Sequence, residues 1–160
     1  MILDRHPDIP GKKLDSPLKF IGYWHSMIVQ EDRYGIPLRT AHEFDRYESL
    51  FGECGLPLPH EWIDSTWDAA ERALVAAYLK AHPVWESWRG NAFCRFDRCS
   101  DRCVPGYRDF TDGTYVWPEG FVHYIERHKV KPPQEFIDHV KSSLRVCMSD
   151  KREESTSEPA

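Results

Sequence analysis

No apolar run in this 160-residue chain approaches the ~20 residues that a membrane-spanning helix needs. The opening segment, M-I-L-D-R-H-P-D-I-P-G-K-K, lacks the apolar core of ~7–15 residues and the small-residue cleavage site of a secretory signal. These two absences set the expectation of a cytoplasmic protein without a membrane partner. A basic excess is missing as well: 21 Lys and Arg stand against 26 Asp and Glu, a net charge of −5. That balance argues against a general nucleic-acid binder, whose electrostatic footprint is positive. Gly52 and Gly55 are followed by no Lys-Ser or Lys-Thr pair, so they form no phosphate loop. No internal repeat is visible, and no C-x-x-C pair occurs. Cysteines number five. An odd set in a reducing compartment stays free or binds metal sooner than it builds a disulfide framework.

Aromatic residues are plentiful. Six Trp, seven Tyr and eight Phe, each able to remove ~150–250 Å² from water, suffice for one core that does not depend on a metal. Residues 1–19 hold Pro7, Pro10, Gly11 and Pro17 among charges and read as an irregular N-terminal arm. A globular domain is expected over 20–148, with 90–130 as its metal-binding subregion. The stretch 149–160, S-D-K-R-E-E-S-T-S-E-P-A, has nothing to bury and reads as a disordered tail.

Within the domain, ordered structure of ambiguous type begins at Phe20–Trp24, and a short helix is expected from Thr40 to Phe51. The strongest helix is Thr66–Ala81, capped by Asp64, Ser65 or Thr66, with Trp67, Ala70, Leu74, Ala77, Tyr78 and Ala81 as its apolar stripe. Val84–Trp88 reads as a second short helix. Thr114–Trp117 reads as a strand after the turn Thr111-Asp112-Gly113. Pro118 suits the first position of a helix to about Lys129. A last helix follows Pro132-Pro133, with Phe136, Ile137, Val140 and Leu144 inward. The fold expected is α+β, mostly helical, with a small β-hairpin that presents a zinc-knuckle-like Cys/His site. Its core should include Trp67, Leu74, Tyr78, Trp117, Phe121, Ile125, Phe136, Ile137 and Val140.

The chemistry concentrates between Cys94 and His128. Three cysteines stand close together (C-R-F-D-R-C-S-D-R-C; Cys94, Cys99, Cys103), and His123 and His128 follow in the predicted helix. Thiolate and imidazole are the ligands of a small structural zinc site, which takes four near-tetrahedral donors. Cys94, Cys99, His123 and His128 are the favoured set. The spacing of the two histidines puts their rings ~140° apart on a regular helix, so convergence needs a widened or frayed last turn. Cys103 is the alternative ligand: Cys94, Cys99 and Cys103 with His123 avoid that angle. Arg95, Arg98, Arg102 and Arg108 could steady the thiolates, or simply form a solvated loop. The same five residues also read as free thiols and ordinary histidines.

From Thr111 the chain reads T-D-G-T-Y-V-W-P-E-G-F-V-H-Y-I-E-R-H, and Pro133, Glu135 and Phe136 follow. This segment resembles an uncharacterised, mainly bacterial protein family marked by T-D-G-x-Y-V-W-P-E-G, then H-Y, a second His, a proline and E-F. The resemblance covers roughly residues 90–140 and implies no activity. Such relatives carry a C-x-x-C knuckle upstream, which implies a zinc site shared with the histidines; here the sulfur spacing is Cys94-x4-Cys99.

Other chemistry is available to the same residues. Asp109, Asp112, Glu119, His123 and His128 could form a catalytic metal centre, with Glu119 and His123 on one helical face. Equally, Asp112-Gly113 is an ordinary turn pair, and Glu119 suits a first helical turn. A Cys94–His123 nucleophile pair has no supporting signature. Trp62, Trp67, Trp85, Trp88 and Trp117 read as packing, with one or two able to line a partner's groove. His6, His25, His42, His60, His82 and His139 share no metal-ligand spacing, although His25 and His42 could meet in space. The leading expectation is a non-enzymatic intracellular protein held by one structural zinc and acting through a protein partner. The alternative is a metal-dependent hydrolase or nuclease using Glu119 and His123.

Overall fold

A computed structural model describes residues 2–3, 18–24, 33–34, 56–89, 92–101, 103–104 and 106–154, with the side chains at 3, 103–104 and 147–154 outside that description. The helix expected over Thr40–Phe51, Arg102, and the pair His25 and His42 also lie outside the described residues. In chain order the elements are β1 (Ile2–Leu3), β2 (Lys19–Ile21), a 3-10 turn (Pro59–Trp62), α1 (Ala69–Lys80), β3 (Val84–Ser87), β4 (Ala92–Phe93), β5 (Cys103–Val104), β6 (Arg108–Thr111), β7 (Tyr115–Pro118), α2 (Phe121–His128) and α3 (Gln134–Glu154). The fold is α+β, as the sequence implied. The sheet is larger than expected: the predicted hairpin, β6–β7, sits inside a five-stranded mixed sheet of order β1-β2-β7-β6-β3.

β7 is central, flanked by β2 in parallel and by β6 in antiparallel register; its successive side chains point to opposite faces, and burial of Tyr115, Val116 and Trp117 alike shows both faces covered. Aromatic and β-branched side chains suit such a two-sided position. Pro118 does not open the helix. It pairs with Asp109 in the ladder, and the Glu119 N–H bonds the Arg108 carbonyl at 2.9 Å, so the strand runs through Pro118 and a turn at Glu119-Gly120 leads into α2 at Phe121. Val84–Ser87 is likewise a strand, not a helix. So short a segment cannot sustain a helical nucleus, whereas β6 offers it an antiparallel ladder, with an irregularity between Val84 and Glu86.

β1 and β2 occupy the two ends of the stretch expected as an irregular arm, and pair with each other. Lys19 joins β7 through its main chain, donating to the Thr114 carbonyl at 2.9 Å. At the far end α3 runs to Glu154, past Ser149 where the tail was expected to begin; residues 155–160 lie outside the described residues.

The cap of α1 is Asp68, whose carboxylate accepts the Glu71 N–H at 2.8 Å. Asp64 is committed upstream, accepting from the Thr66 N–H and hydroxyl, so the helix starts later than the sequence suggested. Its inward face is Val75, Ala76, Tyr78 and Leu79, while Leu74 stands 39% exposed. The inward face is rotated from the predicted stripe, with Val75 and Leu79 turned to the core in place of Leu74.

Two apolar clusters result among the described residues. The larger joins Ile21, Trp67, Tyr78, Trp117, Phe121, Ile125, Phe136, Ile137 and Val140 with their neighbours. The smaller holds Leu58, Cys94, Phe96, Tyr124 and Val130. Helix α2 wedges between them: Phe121 and Ile125 enter the first, Tyr124 the second. That wedge fixes where the two histidines of α2 stand.

Candidate metal centre

Cys94 follows directly on β4, and Cys99 ends a turn closed by its own N–H on the Phe96 carbonyl at 3.3 Å. Opposite them α2 carries His123 in its first turn and His128 as its last residue. One ligand atom from each of Cys94, Cys99, His123 and His128 lies within 4.8 Å of every other. Cys94 Sγ is 3.2 Å from His128 Nε2, and Cys99 Sγ is 3.4 Å from His123 Nε2. Donors at ~2.3 and ~2.0 Å from one ion, at tetrahedral angles, would put sulfur and nitrogen ~3.5 Å apart. The four side chains therefore have the spacing a metal ion needs.

The widened last turn that the histidine spacing demanded is present. Lys129 adopts a left-handed conformation, φ 55°, and its N–H bonds the Tyr124 carbonyl, one residue further back than the α-helical partner. The Val130 N–H reaches the same carbonyl at 3.1 Å. Unwinding the helix end this way brings the rings of His123 and His128 to 5.1 Å between centroids. The segment that follows is tied down by Lys131 N–H to the Trp62 carbonyl at 2.8 Å and by an Ile63–Val130 bridge.

The electrostatics favour neutral imidazoles. Burial lowers His128 from 6.5 to about 4, helped by His123 and Arg127 beside it. Burial likewise lowers His123, against the opposing charge of Asp101. Both rings are thus unprotonated at neutral pH, with a lone pair free for a metal. Cys94 is fully buried and Cys99 half-buried.

Around the ligands stand residues that sequence reasoning passed over. Phe96 stacks on His128 at 4.1 Å. Tyr124 lies edge-on to His123 at 5.5 Å, and its hydroxyl accepts the Arg95 N–H at 3.0 Å. Arg127 binds Asp101, its Nε at 2.9 Å, locking α2 to the turn that carries Cys99. Tyr124 was signalled only as the aromatic next to His123. Of the four arginines read as able to steady the thiolates, Arg102 lies outside the described residues, and the Arg108 guanidinium pairs with Glu119 at 2.6 Å and lies over Tyr107 and Phe110.

No family model matches this chain, and neither does any curated protein or solved structure. Cys103 sits in β5 opposite Phe93, with its side chain outside the described residues. Asp109 is buried and accepts from Trp88 Nε1 at 2.8 Å. Asp112 accepts from Tyr78 and His139. Neither aspartate joins the cysteine–histidine group. Of the tryptophans, Trp67 and Trp117 are core residues, Trp62 packs on the smaller cluster and Trp85 meets Phe20 edge-on at 5.8 Å. No described helix is long and apolar enough to cross a membrane.

Proposed function

We propose that Cys94, Cys99, His123 and His128 hold one zinc ion in a structural role, in an intracellular protein that acts through contacts with a protein partner. The carrying observation is the mutual approach of all four ligand atoms to within 4.8 Å. Two thiolates and two imidazoles select a borderline-soft ion of tetrahedral habit, which favours zinc. Four protein donors leave no position for water, whereas a catalytic zinc keeps one open. The ion would bolt the Cys94–Cys99 turn to α2, two segments otherwise joined by a small apolar cluster, the Arg95–Tyr124 hydrogen bond and the exposed Arg127–Asp101 pair.

The competing reading, a metal-dependent hydrolase or nuclease, draws on a cavity of about 430 Å³ beside the site, lined in part by Glu119 and His123. Against it, one oxygen of the Glu119 carboxylate, Oε1, is held by Arg108 at 2.6 Å, and a neighbouring guanidinium disfavours the proton uptake that a general base performs.

Metal analysis of freshly purified protein tests the proposal. One zinc per chain is expected, falling in Cys94→Ser, Cys99→Ser and His128→Ala while Cys103→Ser keeps it. Full metal retention in Cys99→Ser would remove the proposed ligand set. Turnover lost in Glu119→Gln at unchanged zinc content would favour the hydrolase.

A further inference from the structure

Tyr124 is placed between the two histidines on α2, and its hydroxyl reaches across to the segment bearing Cys94. There it accepts the Arg95 N–H at 3.0 Å and donates, at a longer 3.5 Å, to the Phe93 carbonyl. Those two residues flank Cys94 on either side. The same side chain is 4% exposed and packs among Trp24, Phe96, His123 and His128.

Packing alone does not explain a tyrosine here. Phenylalanine would fill the same space, and a buried hydroxyl is costly unless it is partnered. Both partners are backbone groups adjacent to a sulfur ligand, and the residue offering the hydroxyl sits on the helix that offers both nitrogen ligands. We propose that the Tyr124 hydroxyl is a positioning group for the metal centre, holding Cys94 in register with His123 and His128 so that the donor set is assembled before the ion arrives. The inference rests on the metal-site reading above. It assigns the outer support of the sulfur side of the site to one hydroxyl.

Outer groups that orient metal ligands typically alter affinity by ~10–100-fold. Tyr124→Phe keeps the ring and removes only the hydroxyl. Zinc affinity by competition with a chromophoric chelator is expected to fall by ~10–100-fold, with one zinc still bound at saturation. The cobalt-substituted protein is expected to show a changed sulfur-to-metal charge-transfer band, which a loss of stability alone would not move. Val75→Ala, in the larger cluster, serves as the control: it destabilises the fold and should keep wild-type affinity. If Tyr124→Phe does not fold, 3-fluorotyrosine at position 124 keeps ring and hydroxyl while weakening the oxygen as an acceptor, and a smaller loss of affinity is expected. Affinity of Tyr124→Phe within twofold of wild type, or an equal loss in Val75→Ala, would overturn the positioning role while leaving the metal site standing. Wild-type protein that takes up no zinc would overturn the metal reading, and this inference with it.

Discussion

The Phe96 ring lies nearly flat on the imidazole of His128, centroids 4.1 Å apart and planes 23° from parallel. Phe96 is fully buried and comes from the turn between the two cysteines, so it ties the sulfur side of the site to the nitrogen side without any ion. Phe96→Ala is expected to cost about 3–5 kcal/mol of stability in denaturant unfolding of the metal-free protein, the usual range for emptying a phenylalanine site. Phe96→Leu should cost less and still bind one zinc. A negligible effect of Phe96→Ala would mean that the ring is not part of a packed core.

The grouping of Cys94, Cys99, His123 and His128 was legible in sequence because ligand chemistry is local to residue type, and cysteine and histidine at close spacing stand out from their surroundings. The need for a distorted helix end was legible too, since it follows from the rotation per residue alone. What was not legible depended on partners distant in sequence. Val84–Ser87 is a strand only because β6 is there to pair with it. Pro118 remains in the ladder because Asp109 faces it. Leu74 lost its expected place in the core because the neighbours of α1 set which face turns inward. The positions of Tyr124 and Phe96 around the cysteine–histidine group depended on the same long-range packing.

Asp112 shows the same dependence. As sequence it is half of a turn pair; in the fold its carboxylate accepts from the Thr114 and Tyr115 N–H groups at 2.8 and 2.7 Å, from Tyr78 at 2.7 Å and from His139 at 2.9 Å. Burial pushes its carboxyl up, but these donors outweigh burial and leave it below the ordinary 3.8. A carboxyl lowered by folding adds stability above its ordinary value and loses it as pH falls through the folded value. Asp112→Asn is expected to cost about 1.5–3 kcal/mol at neutral pH, the range for hydrogen bonds to a charged group. The gap from wild type should narrow below pH 3.8. A gap independent of pH would show that the charge is immaterial.

Gly22 turns the chain at φ +80°, and a Cβ there would overlap the Phe121 ring. Left-handed backbone and close approach both demand glycine. Gly22→Ala is expected to lower stability by about 1–3 kcal/mol, read from the denaturant midpoint. Because Phe121 opens α2, proton resonances of Phe121 and His123 should shift together. A variant as stable as wild type would mean that β2 and α2 do not meet at this point.

Removing the metal should loosen one part of the molecule first. The Cys94–Cys99 turn and the end of α2 are joined by the smaller cluster and by the Arg95–Tyr124 and Arg127–Asp101 contacts, whereas α1 packs into the larger cluster. With chelator, hydrogen exchange is expected to speed up at 92–101 and at the end of α2 before it does in α1. Acid should add to the effect, and its sign follows from the histidines. Burial holds His128 at about 4 in the fold against 6.5 ordinarily, so between those values the unfolded chain takes up a proton that the folded chain refuses. Stability of the metal-free protein should therefore be full above pH 6.5 and decline down to about 4. Protons would compete with a zinc ion for the same nitrogens across that range, so half-saturation should need more zinc at pH 5.5 than at pH 7.5. Uniform loss of protection on chelation, or affinity unchanged across that interval, would contradict a metal held by these histidines.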